Sequence, residues 1–242
     1  MALAPFSRLA SVYDEIMLDV EYEDWIDFIL QLVQVRGKHP ENALDIGCGT
    51  GNSSLPMFAR GVEIMGLDAS RDMLELAREK LPPVKFVEAD FRNFDLNKRF
   101  DLVYSVFDSL NNLLEITDFL KAARCVYKHL EPGGFFVFDA NTTVGLKYLW
   151  ESGRAEGYIN DVHYAWEHYF DENTGLAKVE AYCEKEGKGF TEIHYERAYD
   201  APELVDLLGQ AGFTNIEALS YPDAALALKD DPRIWMIAQK PS

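Results

Sequence analysis

The chain has 242 residues, 41 of them acidic and 23 basic, for a formal net charge of −18, and 48% are hydrophobic. That supply of apolar residues excludes a disordered chain, while so acidic a surface disfavours nucleic acid, whose affinity comes largely from Lys and Arg neutralising phosphates. The three cysteines Cys48, Cys125 and Cys183 form no CxxC pair, which argues against a zinc or redox centre and for a reducing, cytoplasmic setting.

No stretch of the sequence has the about 18 apolar residues of a membrane span, and the N-terminal residues lack the apolar run of a signal peptide. At the N-terminus, Trp25, Phe28, Ile29 and Leu32 share one face at helical spacing, so a helical cap is expected over about 1–40. From residue 42 onward, short apolar runs alternate with helical patterns, the signature of stacked βα units and a parallel sheet. Strands are expected at 42–47, 62–68, 84–90 and 101–107. Ser70 opens a helix that Pro82 and Pro83 stop. Phe119, Ala123, Val126 and Leu130 mark a further helix, which Pro132-Gly133-Gly134 ends before a strand at 135–140. Then the period falls to two. Val162, Tyr164, Trp166, His168 and Phe170 fall on one face of a strand, and turn clusters at 171–175 and 186–189 predict three antiparallel strands within an insert of about 155–199. A helix capped by Asp200 and two last strands, at 213–219 and 233–240, follow. The fold class is α/β: a doubly wound, mostly parallel sheet carrying a small antiparallel β-meander, all in one domain spanning 1–242.

Asp45-Ile46-Gly47-Cys48-Gly49-Thr50-Gly51 falls where a strand meets a helix, the edge at which open α/β sheets bind ligands. Glycines there let a ligand press on the backbone, and the GxGxG spacing suits an aminoacyl-bearing ligand better than a pyrophosphate. Asp68 ends the next strand, about 20 residues after the first glycine, where a carboxylate can accept both hydroxyls of a ribose. The ligand is thereby narrowed to an adenosine-like nucleoside.

With Asp90 at the end of the third strand and the run LEPGGFFVFDA, these motifs resemble the class I S-adenosylmethionine-dependent methyltransferases over about residues 40–140. The pattern DSLNNL and the Tyr13-Asp14 pair look like the small-molecule branch, which includes the amino-sugar N,N-dimethyltransferases. The resemblance implies a Rossmann-like seven-stranded sheet, S-adenosyl-L-methionine as cofactor, and methyl transfer to an N or O atom of a small molecule. By it Gly47, Cys48, Gly49 and Gly51 would line the methionine moiety and Asp45 would help fix its ammonium. Asp68 with Ala69 would hold the ribose, Met73 would pack on adenine, and Asp90 and Phe91 would read the adenine edge. Val106 would line the site. Tyr13, Asp108 and Asn112 are the catalytic candidates, Asn112 standing where this branch can carry a histidine. Trp166, His168 and Arg197 in the insert are candidates for the acceptor side; a salt bridge is the alternative for Arg197, and core packing the alternative for Met73. No residues have metal-ligand spacing. An RNA or protein methyltransferase, a dinucleotide-dependent oxidoreductase and a non-catalytic cofactor-binding protein are the rival readings.

Overall fold

The computed structural model describes residues 6–150 and 153–242. The first five residues of the expected cap, and residues 151–152, lie outside that range. Two helices open the chain, α1 (Ala10–Ile16) and α2 (Tyr22–Gln34). There follow β1 (Asn42–Ile46), α3 (Ser54–Ala59), β2 (Glu63–Asp68), α4 (Arg71–Lys80), β3 (Lys85–Glu88) and β4 (Phe100–Ser105). A 3-10 turn at Ser109–Asn112, α5 (Ile116–His129), β5 (Leu130–Asn141) and α6 (Thr143–Trp150) lead to the insert. The insert comprises β6 (Arg154–Ile159), β7 (Val162–Asp171), β8 (Leu176–Lys185) and β9 (Lys188–Arg197). The chain ends with α7 (Ala201–Ala211), β10 (Thr214–Leu219) and β11 (Arg233–Gln239).

Seven strands form the main sheet in the order β10-β11-β5-β4-β1-β2-β3. The four pairs among the strands from β5 to β3 run parallel, and β11 is antiparallel to both of its neighbours. Successive strands move outward from β1 to β3 and then return on its other side with β4. The crevice where the order reverses, at the carboxyl ends of β1 and β4, is where such sheets bind ligands. Strand alternation feeds two cores. Leu44, Ile46 and Val103 pack with Phe119, Val126 and Leu204 on one face; Ala43, Leu102 and Tyr104 pack with Ile26, Ile29 and Leu74 on the other. Because both faces are covered, β1 is buried from Ala43 to Ile46, as a central parallel strand must be.

The insert is a separate antiparallel sheet of four strands, β6-β7-β8-β9. Three strands were expected, and the fourth, β6, was missed for a physical reason. Its residues Arg154-Ala155-Glu156-Gly157-Tyr158 alternate between exposed and half-buried with hardly any apolar signal, as suits an edge strand. Glu186 and Gly187 both take positive φ, 52° and 73°, in the two-residue hairpin joining β8 to β9, the geometry that matches strand twist. Helix α6, between β5 and the insert, was likewise unforeseen.

The expected N-terminal cap divides between two partners. Helix α2 buries Ile26, Phe28, Ile29, Leu32 and Val33 in the main core, whereas α1 places Leu9, Val12 and Ile16 against Val162 and Cys183 of the insert, with Tyr164, Trp166 and Phe190 alongside. Among the described residues no helix is long and apolar enough to cross a membrane.

Candidate functional site

The turn after β1 departs from regular structure at once: Gly47, Gly49 and Gly51 have φ of 74°, 51° and 82°. At Gly47 a side chain is excluded twice over, by that dihedral and by space, since a Cβ would stand 2.8 Å from Ser109 Cβ. Gly49 faces open space, with no atom within 4 Å of a Cβ position, so only its backbone conformation demands glycine. Across the turn, Asp68 at the end of β2 accepts the N–H of Gly49 at 2.9 Å on one oxygen and that of Ser70 at 2.8 Å on the other. Burial nonetheless raises its carboxyl above the usual range, against the pull of those N–H groups. Ala69 beside it is exposed, and Ser70 caps α4 by accepting the Met73 N–H at 3.4 Å.

Several expected residues have partners within the protein. Asp45 is fully buried, and its Oδ2 accepts the hydroxyls of Ser53 and Ser54 at 2.6 and 2.7 Å. Desolvation pushes this carboxyl up to about 6. Its other oxygen, Oδ1, is buried without a hydrogen-bond partner. Asp90 is occupied by Arg92, whose Nη2 and Nε lie 2.5 and 2.8 Å from its carboxylate, and Arg92 also reaches Asp118 at 2.9 Å. Those bonds hold the Asp90 carboxyl below its ordinary range. Phe91 turns towards the turn, its Cζ 3.0 Å from the Cβ position of Gly47. Met73 is buried in the first turn of α4.

A cavity lies over the turn, lined by Gly47, Cys48, Gly49 and Thr50, by Tyr13 and Tyr22 from the N-terminal helices, and by Val106, Phe107 and Ser109 after β4. Burial raises the Cys48 thiol, which keeps it a small uncharged wall. Burial also raises the Tyr13 phenol well above 10, and its hydrogen bond to Tyr22 adds to this. Tyr13 is therefore a neutral hydroxyl at physiological pH. Thr50 Oγ1 donates to Asp14 at 2.5 Å, and Lys80 pairs with the same carboxylate at 2.8 Å.

Beyond β4 the backbone takes two left-handed residues in succession, Phe107 and Asp108, at φ of 60° and 49°. Asp108 is thereby turned to Arg233 at the start of β11, 2.8 Å away, and Arg233 also grips the buried Asp139 of β5. The guanidinium lies 5.5 Å from the ring centre of Trp25 and 5.7 Å from that of Phe107. Asn112 spends its Nδ2 on the Ser109 carbonyl at 3.1 Å, closing the 3-10 turn.

In the insert, both Nη atoms of Arg197 donate to Glu203 at 2.8 and 2.9 Å, the geometry of the salt-bridge alternative, and it covers the Tyr199 ring at 4.6 Å. Trp166 packs where α1 meets the insert. His168 is half-buried, and desolvation lowers its pKa, which leaves it neutral.

Sequence reasoning missed Asp139, Asn141, Glu196 and Arg233. Asp139 does carry a signal, being an acid inside the apolar run FFVFDA, which a buried position tolerates only with a partner. Among the described residues no group of three His, Cys, Asp or Glu side chains is placed to hold a metal ion.

Residues 43–134 match the methyltransferase domain family. The whole chain is similar in structure to an S-adenosylmethionine-dependent methyltransferase from Clostridium acetobutylicum ATCC 824, at 26% identity and a TM-score of 0.86, covering 99% of this chain and 100% of that one. It is 28% identical over 221 residues to the protein YqeM of Bacillus subtilis (strain 168), covering 86% of each. Over 132 residues, 54% of this chain and 56% of the other, it is 33% identical to a dTDP-3-amino-3,4,6-trideoxy-alpha-D-glucopyranose N,N-dimethyltransferase of Streptomyces venezuelae.

Proposed function

We propose that this chain, an S-adenosylmethionine-dependent methyltransferase, transfers its methyl group to an N or O atom of a small molecule in the cytoplasm, an amine being the better-supported acceptor. The observation that carries the reading is the continuity of the donor turn with a second, enclosed surface. Gly47, Cys48 and Gly49, the last held by Asp68, line the same cavity as Tyr13, Tyr22, Val106 and Phe107, and Tyr13 also packs beside the cluster that joins α1 to the insert.

The residues present fit the donor. Each oxygen of Asp68 accepts one N–H and so keeps a lone pair for a ribose hydroxyl, and the space beside Gly49 is open. When bound, the donor supplies an electrophilic methyl on a sulfonium. The chain's own task is to bind, orient and exclude water, and alignment of the two reactants can lower the barrier by ~7–11 kcal/mol. Tyr13, held neutral, can accept a hydrogen bond from an approaching acceptor or donate one to it. The insert, tied to α1, forms the wall of the acceptor side and sets which molecule enters.

The net charge of −18 supports a small-molecule acceptor over RNA, and the amino-sugar dimethyltransferase among the relatives supports nitrogen over oxygen. The test is to incubate the chain with labelled S-adenosylmethionine and a bacterial extract divided into small molecules, RNA and protein. Label in the small-molecule fraction is expected; label confined to RNA or protein would overturn the reading.

A further inference from the structure

A group of buried oxygens at the β5–β9–β11 junction has more acceptors than donors. Asp139 Oδ1, Asn141 Oδ1 and Glu196 Oε2 are each buried without a hydrogen-bond partner, and Asp139 and Asn141 are only 1% and 2% exposed. Arg233, the cation of the group, has one Nη on Asp139 and the other on Asp108. Glu196 lies within electrostatic reach of Asp108, Asp139 and Arg233, and the Asn141 side chain favours its charged form. Two carboxylates thus share one guanidinium and a third lies within its field, and unpartnered buried oxygens cost free energy unless a donor or a proton meets them.

The group belongs to the functional edge of the sheet. Asp108 directly follows Phe107, which lines the cavity, and Asp139 and Asn141 end β5, the neighbour of β4. Asn111 fixes the last turn of β9 against this edge, donating to the carbonyls of Asn141 and Arg197 at 2.9 and 2.8 Å. The same carboxylates serve no evident packing purpose, since apolar replacements would fill the space without desolvating charge.

We propose that Glu196 receives the ammonium group of the acceptor amine, with Asp139 Oδ1 and Asn141 Oδ1 as its further partners, and takes its proton before transfer. The proposal rests on the small-molecule amine reading above. In the step, an N–H bond of the ammonium breaks and its proton passes to Glu196 Oε2. The freed nitrogen lone pair then forms the C–N bond as the C–S bond breaks, and that electron pair stays on sulfur, leaving a thioether. The product leaves as the methylammonium, and the protonated Glu196 returns its one proton to solvent as the site opens. Burial and the neighbouring Asp108 push the Glu196 carboxyl up to about 8, close to the range of amines, where a base works best near neutral pH.

The test uses the full chain and a panel of primary and secondary amines with pKa above about 9, amino sugars among them, each matched with its alcohol. Calorimetry with S-adenosylhomocysteine comes first. Binding equal in the native chain and Glu196→Gln is expected; failure of the native chain to bind would remove the donor reading and this proposal with it. With donor binding intact, amines and not alcohols should be methylated, and Glu196→Gln should lower kcat about 100-fold. The accepted amine should also bind the homocysteine-loaded variant at least tenfold more weakly. Glu196→Asp should recover part of both losses, which a packing residue would not. Should the variants fail to fold, the native chain decides. Its affinity for the accepted amine should rise about tenfold per pH unit from 6 to 7 as Glu196 loses its proton, while inhibition by the matched alcohol stays flat. Methylation of alcohols alone or of no panel member, a variant with native kcat and affinity, or equally flat profiles would each overturn the assignment.

Discussion

The Asp68 carboxylate accepts the Gly49 N–H at 2.9 Å, so the residue assigned to the ribose also holds the glycine turn in its left-handed conformation. Replacing it disturbs two things at once. Asp68→Ala should weaken S-adenosylhomocysteine binding by ~1.5–3 kcal/mol, the range for losing hydrogen bonds to a charged group, measured by calorimetry. Unchanged affinity would take Asp68 out of the donor site.

Arg197 and Glu203 form a two-pronged pair with side chains 18% and 31% exposed, joining the end of β9 to α7. Arg197→Ala should therefore cost about 1 kcal/mol and lower the melting temperature by ~2–4 °C, with the acceptor's KM unmoved. A raised KM at an unchanged melting temperature would restore Arg197 to the acceptor site.

Glu192 of β9 accepts the N–H groups of Phe6, Arg8 and Leu9, latching the start of α1 to the insert. Burial works against its charge, but His194 and those N–H groups prevail and hold its carboxyl below the usual glutamate range. The folded chain then binds fewer protons than the unfolded one. The latch is at full strength above the ordinary glutamate pKa of about 4.3 and is lost as pH falls through the lower folded value. Glu192→Ala should speed hydrogen exchange across residues 9–16 at pH 7, whereas exchange no faster than in the native chain would show the latch to be idle.

Asp45 has the opposite sign. Its folded pKa of about 6 exceeds the unfolded value of about 3.9, so the native state keeps a proton that the unfolded state has lost. Its burial therefore costs progressively more stability as pH rises through that window, about 1.4 kcal/mol per unit. Asp45→Asn removes the titration, so the melting temperature of the variant minus that of the native chain should increase between pH 4 and 7. A constant difference would mean that Asp45 is ionised throughout.

The parallel sheet and the donor turn were legible in the sequence because local rules write them. Glycine spacing, an acid at the end of a strand and a proline stop each act within a few residues, and Asp68, Gly47 and Gly49 accordingly lie together. The acidic group was not legible, since it is assembled from Asp108, Asp139, Glu196 and Arg233, whose side chains meet only through sheet order. Glu196 alternates with Tyr195 and Arg197 on a strand, and a lone glutamate in such a pattern is indistinguishable from one facing solvent. At Asp45 and Arg197 the sequence gives a charge but not its protein partners, which the structure identifies as Ser53 and Ser54 for the one and Glu203 for the other.

Helix α1, only seven residues long, is fastened on two flanks. Asp14 ties it to Thr50 and Lys80 beside the glycine turn, and Glu15 ties it to Lys185 of the insert. If donor binding shifts α1, the same contacts carry the shift to the insert that is proposed above to wall the acceptor. Thermodynamic linkage makes the exchange reciprocal: by whatever factor donor binding changes acceptor affinity through this bridge, acceptor binding changes donor affinity by the same factor. Any such coupling would pass through three contacts of one short helix, Asp14 with Thr50, Asp14 with Lys80 and Glu15 with Lys185.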